Sequence, residues 1–426
     1  MNTYKHSVLL DSSKCNGCTS CLKRCPTEAI RIRDKLASIN CARCIDCGEC
    51  IRICSNKAKK VSYNNFEAIN DYKWKIALPA PTLYGQFESL DDVDYVLNGL
   101  KQIGFDDVYE VAQAAELVTA YTRMYLKTEG IKTPVISSAC PVVTRLIALR
   151  FPSLKENIIP LLPPMEIAAI EARRKANQEH PELKDSDIGV CFISPCPAKV
   201  SYVKNGFADY KSNVDLVLSI SKIYFMLLNV MKRDLELQPM SKSGKIGVSW
   251  ATTGGESSAI FNDRYLAADG IDNVIHVLEL IENGNIPQLD FIELNACRGG
   301  CVGGVMAVEN PYIAKARLQT LRRFMPVSQT GNDIKGYIPE ACFFNKQPEY
   351  QPINRLGSNV GESMRMMAEI QSIKETLPGI DCGACGAPTC RAFAEDVVKG
   401  NAEISDCIIS MKSVLQNYLE NRDKTE

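Results

Sequence analysis

The sequence predicts an α/β multidomain protein: a short N-terminal module, a central α/β domain with parallel sheets, and a small, mainly helical C-terminal module. Three observations carry that prediction. The 19 cysteines fall into three zones, residues 15–54, 140–342 and 382–407. From about residue 72 to 350, short apolar runs alternate with helical stretches, the pattern of buried strands in an α/β domain. After a Pro- and Asn-rich stretch (Lys346–Arg355), a helix from about Glu362 to Thr376 leads into the last cysteine group. The expected domains are 1–65, 72–350 and 360–426.

Bulk composition narrows the function. A chain of 426 residues with 46% hydrophobic and 23% charged residues has ordinary globular values. A net charge of −1 argues against a nucleic-acid partner, which usually demands a basic excess. The short basic clusters Lys23–Arg24 and Lys57–Lys59–Lys60 read as a solvated face, or as a docking patch for an acidic redox partner. The N-terminus lacks a signal-peptide layout, and no stretch approaches the roughly 18 apolar residues that span a bilayer. The expected location is therefore cytoplasmic, with no membrane partner. In a reducing compartment, cysteines in tight C-x2-C groups read as metal ligands rather than disulfides.

Residues 1–65 hold too little apolar material for a core and need cofactors to hold them together. Cys15, Cys18, Cys21 and Cys25-Pro26 form a C-x2-C-x2-C-x3-C-P run, repeated at Cys44, Cys47, Cys50 and Cys54. In two-cluster ferredoxins three thiolates wrap one cube and the fourth crosses to the other. That assigns Cys15, Cys18, Cys21 and Cys54 to one 4Fe–4S cluster, and Cys44, Cys47, Cys50 and Cys25 to a second. A pair of zinc sites is the alternative. A register shifted onto Cys41 is also open, although the x3 step to Cys54 favours Cys41 as the spare. Ser55 stands where proline commonly follows.

In the central domain, strands are expected at Thr133–Ser138, Ile188–Ser194, Lys245–Trp250 and Asp290–Leu294, and helices at Pro141–Arg150 and Ser221–Lys232. Cys140 and Cys196 each end an apolar run and precede a proline. Cys297 and Cys301 follow the run FIEL in NACRGGCVGG. Ligands in open α/β sheets gather at the carboxyl ends of strands, so three strand ends could bring four thiolates together. Pro141 opens a helix whose N-terminus favours an anionic cofactor. Gly299, Gly300, Gly303 and Gly304 let backbone approach a bulky centre, and Lys199 reaches towards an anionic ligand.

These motifs resemble the large-subunit catalytic domain of FeFe-hydrogenases over roughly residues 74–345. The resemblance rests on SSACP, SPCPAK, Thr253–Gly255 and ELNACRGGC, with GFDDVYEV upstream. It implies an H-cluster, a 4Fe–4S cube bridged by one cysteine to a two-iron unit with carbonyl, cyanide and an azadithiolate. By motif position Cys140, Cys196, Cys297 and Cys301 correspond to the cube ligands, with Cys301 the bridge. Lys199 corresponds to the lysine that holds a cyanide.

The departures from the family pattern concern protons. The proton-transfer cysteine of the T-S-C-C-P motif is replaced by Ala139. The relay glutamates upstream correspond to VTAYTRMYL, with Tyr121, Thr122 and Arg123 where acids are expected. A glutamate after the M-P-C cysteine is Tyr202, and Ser194 and Asn295 replace methionines. Losing a positioned acid–base group typically costs about 10²–10⁴-fold. The expectation is slow turnover with gas binding retained, unless Tyr121, Tyr202 or water supplies another path.

At the C-terminus Cys382-x2-Cys385-x4-Cys390-x16-Cys407 offers four thiolates for a further 4Fe–4S cluster, with a helix over Phe393–Gly400. DCGACGAPTCRAFA resembles the single-cluster module of some membrane-linked electron carriers and corrinoid proteins; zinc is the alternative. Cys191, Cys342 and Cys41 stay unassigned, the first two as buried fillers. His6, His180 and His276 show no ligand spacing.

Intact ligands, a missing relay and an added cluster resemble the sensory branch of the FeFe-hydrogenases of anaerobes. The implied function is hydrogen or redox sensing by a slow enzyme. Its partners would be H2 and protons, ferredoxin or a signalling protein, and H-cluster maturation proteins. The rivals are a catalytic ferredoxin-linked hydrogenase subunit with a non-standard proton path, and a non-catalytic multi-cluster electron carrier.

Overall fold

The computed structural model describes residues 4–231, 237–331, 334, 336–346, 348–351 and 356–422. Residues 347 and 352–355 of the Lys346–Arg355 stretch, and Lys232, lie outside them.

The N-terminal cysteine repeats fold onto each other through two short ribbons. Strand β1 (Val8–Leu10) pairs antiparallel with β4 (Lys59–Val61), and β2 (Ile30–Arg33) pairs antiparallel with β3 (Leu36–Ile39). Each repeat adds one helical turn, Ser20–Lys23 and Glu49–Arg52. The apolar core is small, built on Cys21, Leu22, Ile30 and Ala37, as expected of a module this short. One expectation fails here. Lys57 and Lys60 are exposed, but Lys59 is only 3% exposed and belongs to the interior. Strand alternation explains this, because β4 turns successive side chains to opposite faces.

The central region contains two parallel sheets. One has the order β6–β5–β8–β9 and the other β10–β11–β7. Their strands are β5 (Trp74–Pro79), β6 (Asp107–Val108), β7 (Val135–Ile136), β8 (Ile188–Ser194), β9 (Leu216–Ser219), β10 (Tyr265–Asp269) and β11 (Phe291–Asn295). All seven residues of β8 are buried, the continuous apolar run of a parallel strand covered on both faces. Ile188, Val190 and Phe192 pack into one core, Cys191 and Ile193 into a second on the opposite face. The β10–β11–β7 sheet contributes Ile136, Ile292 and Leu294 to a third.

Helices form at Pro141–Arg150 and Ile220–Met231, close to expectation. Lys245–Trp250 does not form the expected strand: residues Lys245–Ser249 are helical. A six-residue apolar run does not discriminate strand from helix by itself. Tertiary contact decides. Gly247 lies so close to the Ala112 carbonyl that a Cβ would sit 2.0 Å from its oxygen, and the Gly244 N–H donates to Glu116 Oε1 at 2.6 Å.

The C-terminal region is helical, with helices at Val360–Thr376, Cys390–Val398 and Ile408–Arg422. Asn359 and Thr389 cap the first two by accepting from the Glu362 and Ala392 N–H groups. Phe393 is 1% exposed and centres a small core with Ile370, Leu377, Ala392 and Cys407. This module docks on the N-terminal one. Ile32 N–H donates to the Gly386 carbonyl at 2.9 Å, where a side chain on Gly386 (φ +76°) would strike the Ile32 backbone. Arg31 and Arg33 both reach Asp396 (2.6 and 3.0 Å), and Arg43 reaches Glu395 at 2.6 Å.

Candidate metal centre

The carboxyl ends of β7, β8 and β11 converge on one cavity, lined by Cys140, Cys196, Cys297, Cys301 and Lys199. Cys140 and Cys196 sit immediately before helices that start at Pro141 and Pro197, both of which accept proline at their first turn. Cys297 and Cys301 flank a tight loop. Gly300 (φ +92°) lies against Thr252 and Thr253 so closely that a Cβ would come within 2.5 Å of the Thr253 nitrogen. No side chain is tolerated there without moving the loop.

Three of the four thiols are raised. Burial pushes Cys196 up to about 12, and the neighbouring Cys140 adds to the rise. Cys297 is raised far above the usual thiol range by burial and by Cys196, Cys140 and Cys301. Cys301 is raised by burial, with the Lys199 ammonium opposing. Thiols packed this way resist ionisation until a cation takes the protons' place, which is the condition metal ligation satisfies. The donor set therefore fits a sulfur-ligated iron centre. Lys199 Nζ lies 5.4 Å from the Phe192 ring centroid and faces the sulfurs, so it fits an anionic ligand on that centre.

The cysteine repeats show the same convergence. Cys21 feels Cys18, Cys15 and Cys54; Cys47 feels Cys25, Cys50 and Cys44. The fourth cysteine of each run thus stands with the opposite group. Cys41 is in neither set; its carbonyl accepts from Arg145 at 3.3 Å. N–H groups point at the sulfurs, Ala29 to Cys25 at 3.2 Å and Ala58 to Cys54 at 3.3 Å. Cys382, Cys385, Cys390 and Cys407 line one small C-terminal pocket.

Ala139 lines the central cavity, as its place beside Cys140 requires, and Asn295 does too. Ser194 Oγ accepts from the Cys196 N–H at 3.1 Å. Tyr121 and Tyr202 are buried but are not among the residues that line the cavity. Arg123 stacks over Phe261 at 4.4 Å and donates to the Ala259 carbonyl, away from it.

Sequence reasoning missed two wall residues. Glu256 and Glu293 both line the cavity and are 6% and 3% exposed. Glu293 Oε2 accepts from the Ser257 N–H and hydroxyl, and Oε1 from the Gly254 N–H and the Asn295 amide, at 2.7–3.0 Å. Glu256 has only Ser137 Oγ among the described residues, at 2.8 Å from both oxygens. Burial and the charge of Glu293 raise Glu256 far above the usual carboxylate range; burial raises Glu293 despite its donors. Burial and mutual repulsion thus disfavour charge on both carboxyl groups at once, most strongly on Glu256. The available signal was position: Glu256 directly follows Thr253-Gly254-Gly255, and Glu293 opens ELNACRGGC.

A model of the iron-only hydrogenase large subunit, C-terminal domain, matches residues 73–265 and 261–305, more than half the chain. The chain belongs to this family. A 4Fe–4S dicluster domain model matches residues 7–55, and an Fe–S cluster model matches residues 377–409. The hydrogenase fold extends to solved structures. A variant of FeFe-hydrogenase HydA1 from Chlamydomonas reinhardtii superposes with TM-score 0.50 at 14% identity, over 66% of this chain and 95% of that one. An apo variant gives 0.50 and 14% over 68% and 97%. Identity this low establishes the fold only. Among curated proteins, a component of an ion-translocating oxidoreductase complex from Methanosarcina acetivorans is 48% identical over 44 residues, 10% of this chain and 17% of that protein. Its Rhodobacter capsulatus counterpart is 45% identical over 38 residues, 9% and 20%. This hydrogenase-family chain spans a fifth or less of the length of these two curated relatives. None of its described helices is long and apolar enough to cross a membrane.

Proposed function

We propose that this hydrogenase-family protein binds H2 at an H-cluster with slow turnover and passes electrons through 4Fe–4S clusters, serving to sense hydrogen or redox state. The carrying observation is a cavity lined by four cysteines, by Lys199 and by Ala139, a side chain without an exchangeable proton. Cys140, Cys196, Cys297 and Cys301 would hold the cube and Lys199 a cyanide; the group would supply reversible H2 binding and electron storage. Cys15, Cys18, Cys21 and Cys54, then Cys44, Cys47, Cys50 and Cys25, then Cys382, Cys385, Cys390 and Cys407 would hold three further cubes. The domains would be 1–65, 72–350 and 360–426. C-terminal docking on the N-terminal module supports electron passage between them, and ferredoxin or a signalling protein is the proposed recipient.

A second reading, a hydrogenase with a rerouted proton path, is favoured by one observation. Glu256, whose carboxyl burial and Glu293 push upward, lies at the cavity wall and accepts from Ser137 Oγ, and the same hydroxyl accepts from the Ala139 N–H at 3.2 Å. Glu256 can therefore take or give a proton at the wall where Ala139 cannot.

The test is infrared spectroscopy of protein matured with the two-iron cofactor, under argon and then hydrogen, alongside turnover. Cyanide and carbonyl bands that shift with hydrogen, with turnover well below ordinary hydrogenases, are expected. Ordinary turnover would sink the sensor reading. Absent bands with intact cubes would leave a multi-cluster electron carrier.

A further inference from the structure

The two cysteine repeats can be aligned residue by residue. Cys25-Pro26-Thr27-Glu28-Ala29-Ile30 corresponds to Cys54-Ser55-Asn56-Lys57-Ala58-Lys59. The structure obeys that alignment. Ala29 and Ala58 each donate an N–H to the cysteine four residues earlier, and Ile30 and Lys59 each open the strand that follows. Ile30 is 1% exposed and Lys59 3%. The first repeat thus buries a branched alkyl chain where the second buries an ammonium group.

Among the described residues Lys59 Nζ has no hydrogen-bond partner and no ion pair, although it is fully enclosed. Its neighbours Lys57 and Lys60 are exposed, and Lys60 lies 3.5 Å from Asp11. A buried cation without a counter-ion is costly and persists only where something else supplies the negative charge. The groups its field reaches are cysteines of both sets. Its charge acts on Cys21, a member of the Cys15–Cys18–Cys21–Cys54 set, and on Cys50 of the other set, and the residue before it, Ala58, donates its N–H to Cys54 Sγ. The ammonium therefore stands between two places where thiolate-ligated cubes carry net negative charge. Each cube becomes one unit more negative when it accepts an electron, so a fixed cation nearby favours the reduced form.

We propose that Lys59 is the shared counter-charge of the two N-terminal cubes and holds both reduction potentials above the value an apolar residue there would give. Ile30 marks the alternative that the repeat itself offers. This inference rests on the reading that the N-terminal module holds two cubes, and its test separates the two.

Iron content and EPR of the full-length native protein come first; absence of N-terminal cube signals would overturn the two-cube reading. With cubes present, the decisive measurement is a potentiometric titration followed by EPR, comparing native protein with Lys59→Met, Lys59→Ile and Lys60→Met. At fixed potential the reduced-to-oxidised ratio of the N-terminal cubes is expected to fall at least tenfold in both Lys59 variants, about 59 mV for one electron. Lys60→Met is expected to change it less than threefold. Unchanged potentials in Lys59→Met with both cubes present would overturn the proposal. So would loss of cubes from both apolar variants, because the lysine would then be needed to hold the cubes and not to set their potential.

Discussion

The central cavity and the interface between the terminal modules both bury charge, but they dispose of it in opposite ways. At the interface each charge meets a protein partner. Arg43 and Glu395, 5% and 6% exposed, lie 2.6 Å apart, Lys399 reaches the same carboxylate at 2.6 Å, and Arg31 and Arg33 share Asp396. Around the cavity, four cysteines, Lys199 and two carboxyl groups line one space, and Glu256 has only Ser137 Oγ among the described residues, whereas Glu293 has four donors. The difference separates structure from chemistry. Charge that the protein satisfies itself holds two surfaces in register, whereas charge left open expects a cofactor or a proton. Lys59 belongs to the second kind despite its place in the module that carries the interface.

The contrast can be broken most severely at the cavity. Cys301→Ser is expected to abolish the cyanide and carbonyl bands of the matured protein while leaving the N-terminal cube signals intact. Bands surviving that change would dissociate the cavity from the cofactor.

Next come the carboxyl groups. If Glu256 carries the residual proton traffic, Glu256→Gln should reduce turnover by about 10²–10⁴-fold, with infrared bands unmoved. Ala139→Cys should raise turnover in a relay-limited protein and change little where Glu256 already suffices. Measuring both variants by hydrogen evolution discriminates the two readings of the site.

The interface should respond as a paired system. Truncating one member of a buried pair costs about 3–5 kcal/mol where the other charge is stranded; Lys399 still reaches Glu395 at 2.6 Å, so Arg43→Met is expected to cost less than that. Docking, followed by limited proteolysis between residues 356 and 381, should loosen. The double variant Arg43→Met/Glu395→Met is expected to recover part of the loss. Equal loss in the single and double variants would show that the pair does not act as a unit.

A smaller effect follows from pH. Burial acts to raise Glu395, but Lys399 and Arg43 outweigh it and hold the carboxyl below the ordinary glutamate range. A lowered folded-state pKa stabilises above the unfolded value, about 4.3, and that contribution is lost as pH falls through the folded value. Docking should therefore be independent of pH near neutrality and weaken only below about pH 4. Glu395→Gln should abolish this dependence in a proteolysis series across pH.

Much of this was legible from the chain alone, for identifiable physical reasons. Cysteine spacing is local, so the interlocked runs at Cys15–Cys25 and Cys44–Cys54 and the C-terminal group could be read directly. Proline after Cys140 marked a helix start, and the helix at Pro141–Arg150 formed there. The continuous apolar run of β8 announced a strand covered on both faces. The resemblance carried by SSACP, SPCPAK and ELNACRGGC pointed to the family that the comparison of residues 73–305 bears out.

Tertiary structure decided what depends on which distant groups meet. Whether KIGVSW is strand or helix was set by the approach of Gly247 to Ala112, which no local pattern encodes. Lys59 reads as a surface charge beside Lys57 and Lys60; only the pairing of β4 with β1 and the crossing of the cysteine sets turn it inward. Glu256 and Glu293 are 37 residues apart, each an ordinary carboxylate by sequence. Folding places both at one buried wall, where lost hydration and mutual repulsion raise both carboxyl groups above their ordinary range. The chain alone determined which atoms are available to bind metal. The fold determined which charges are satisfied, because desolvation and pairing exist only once the groups have been brought together.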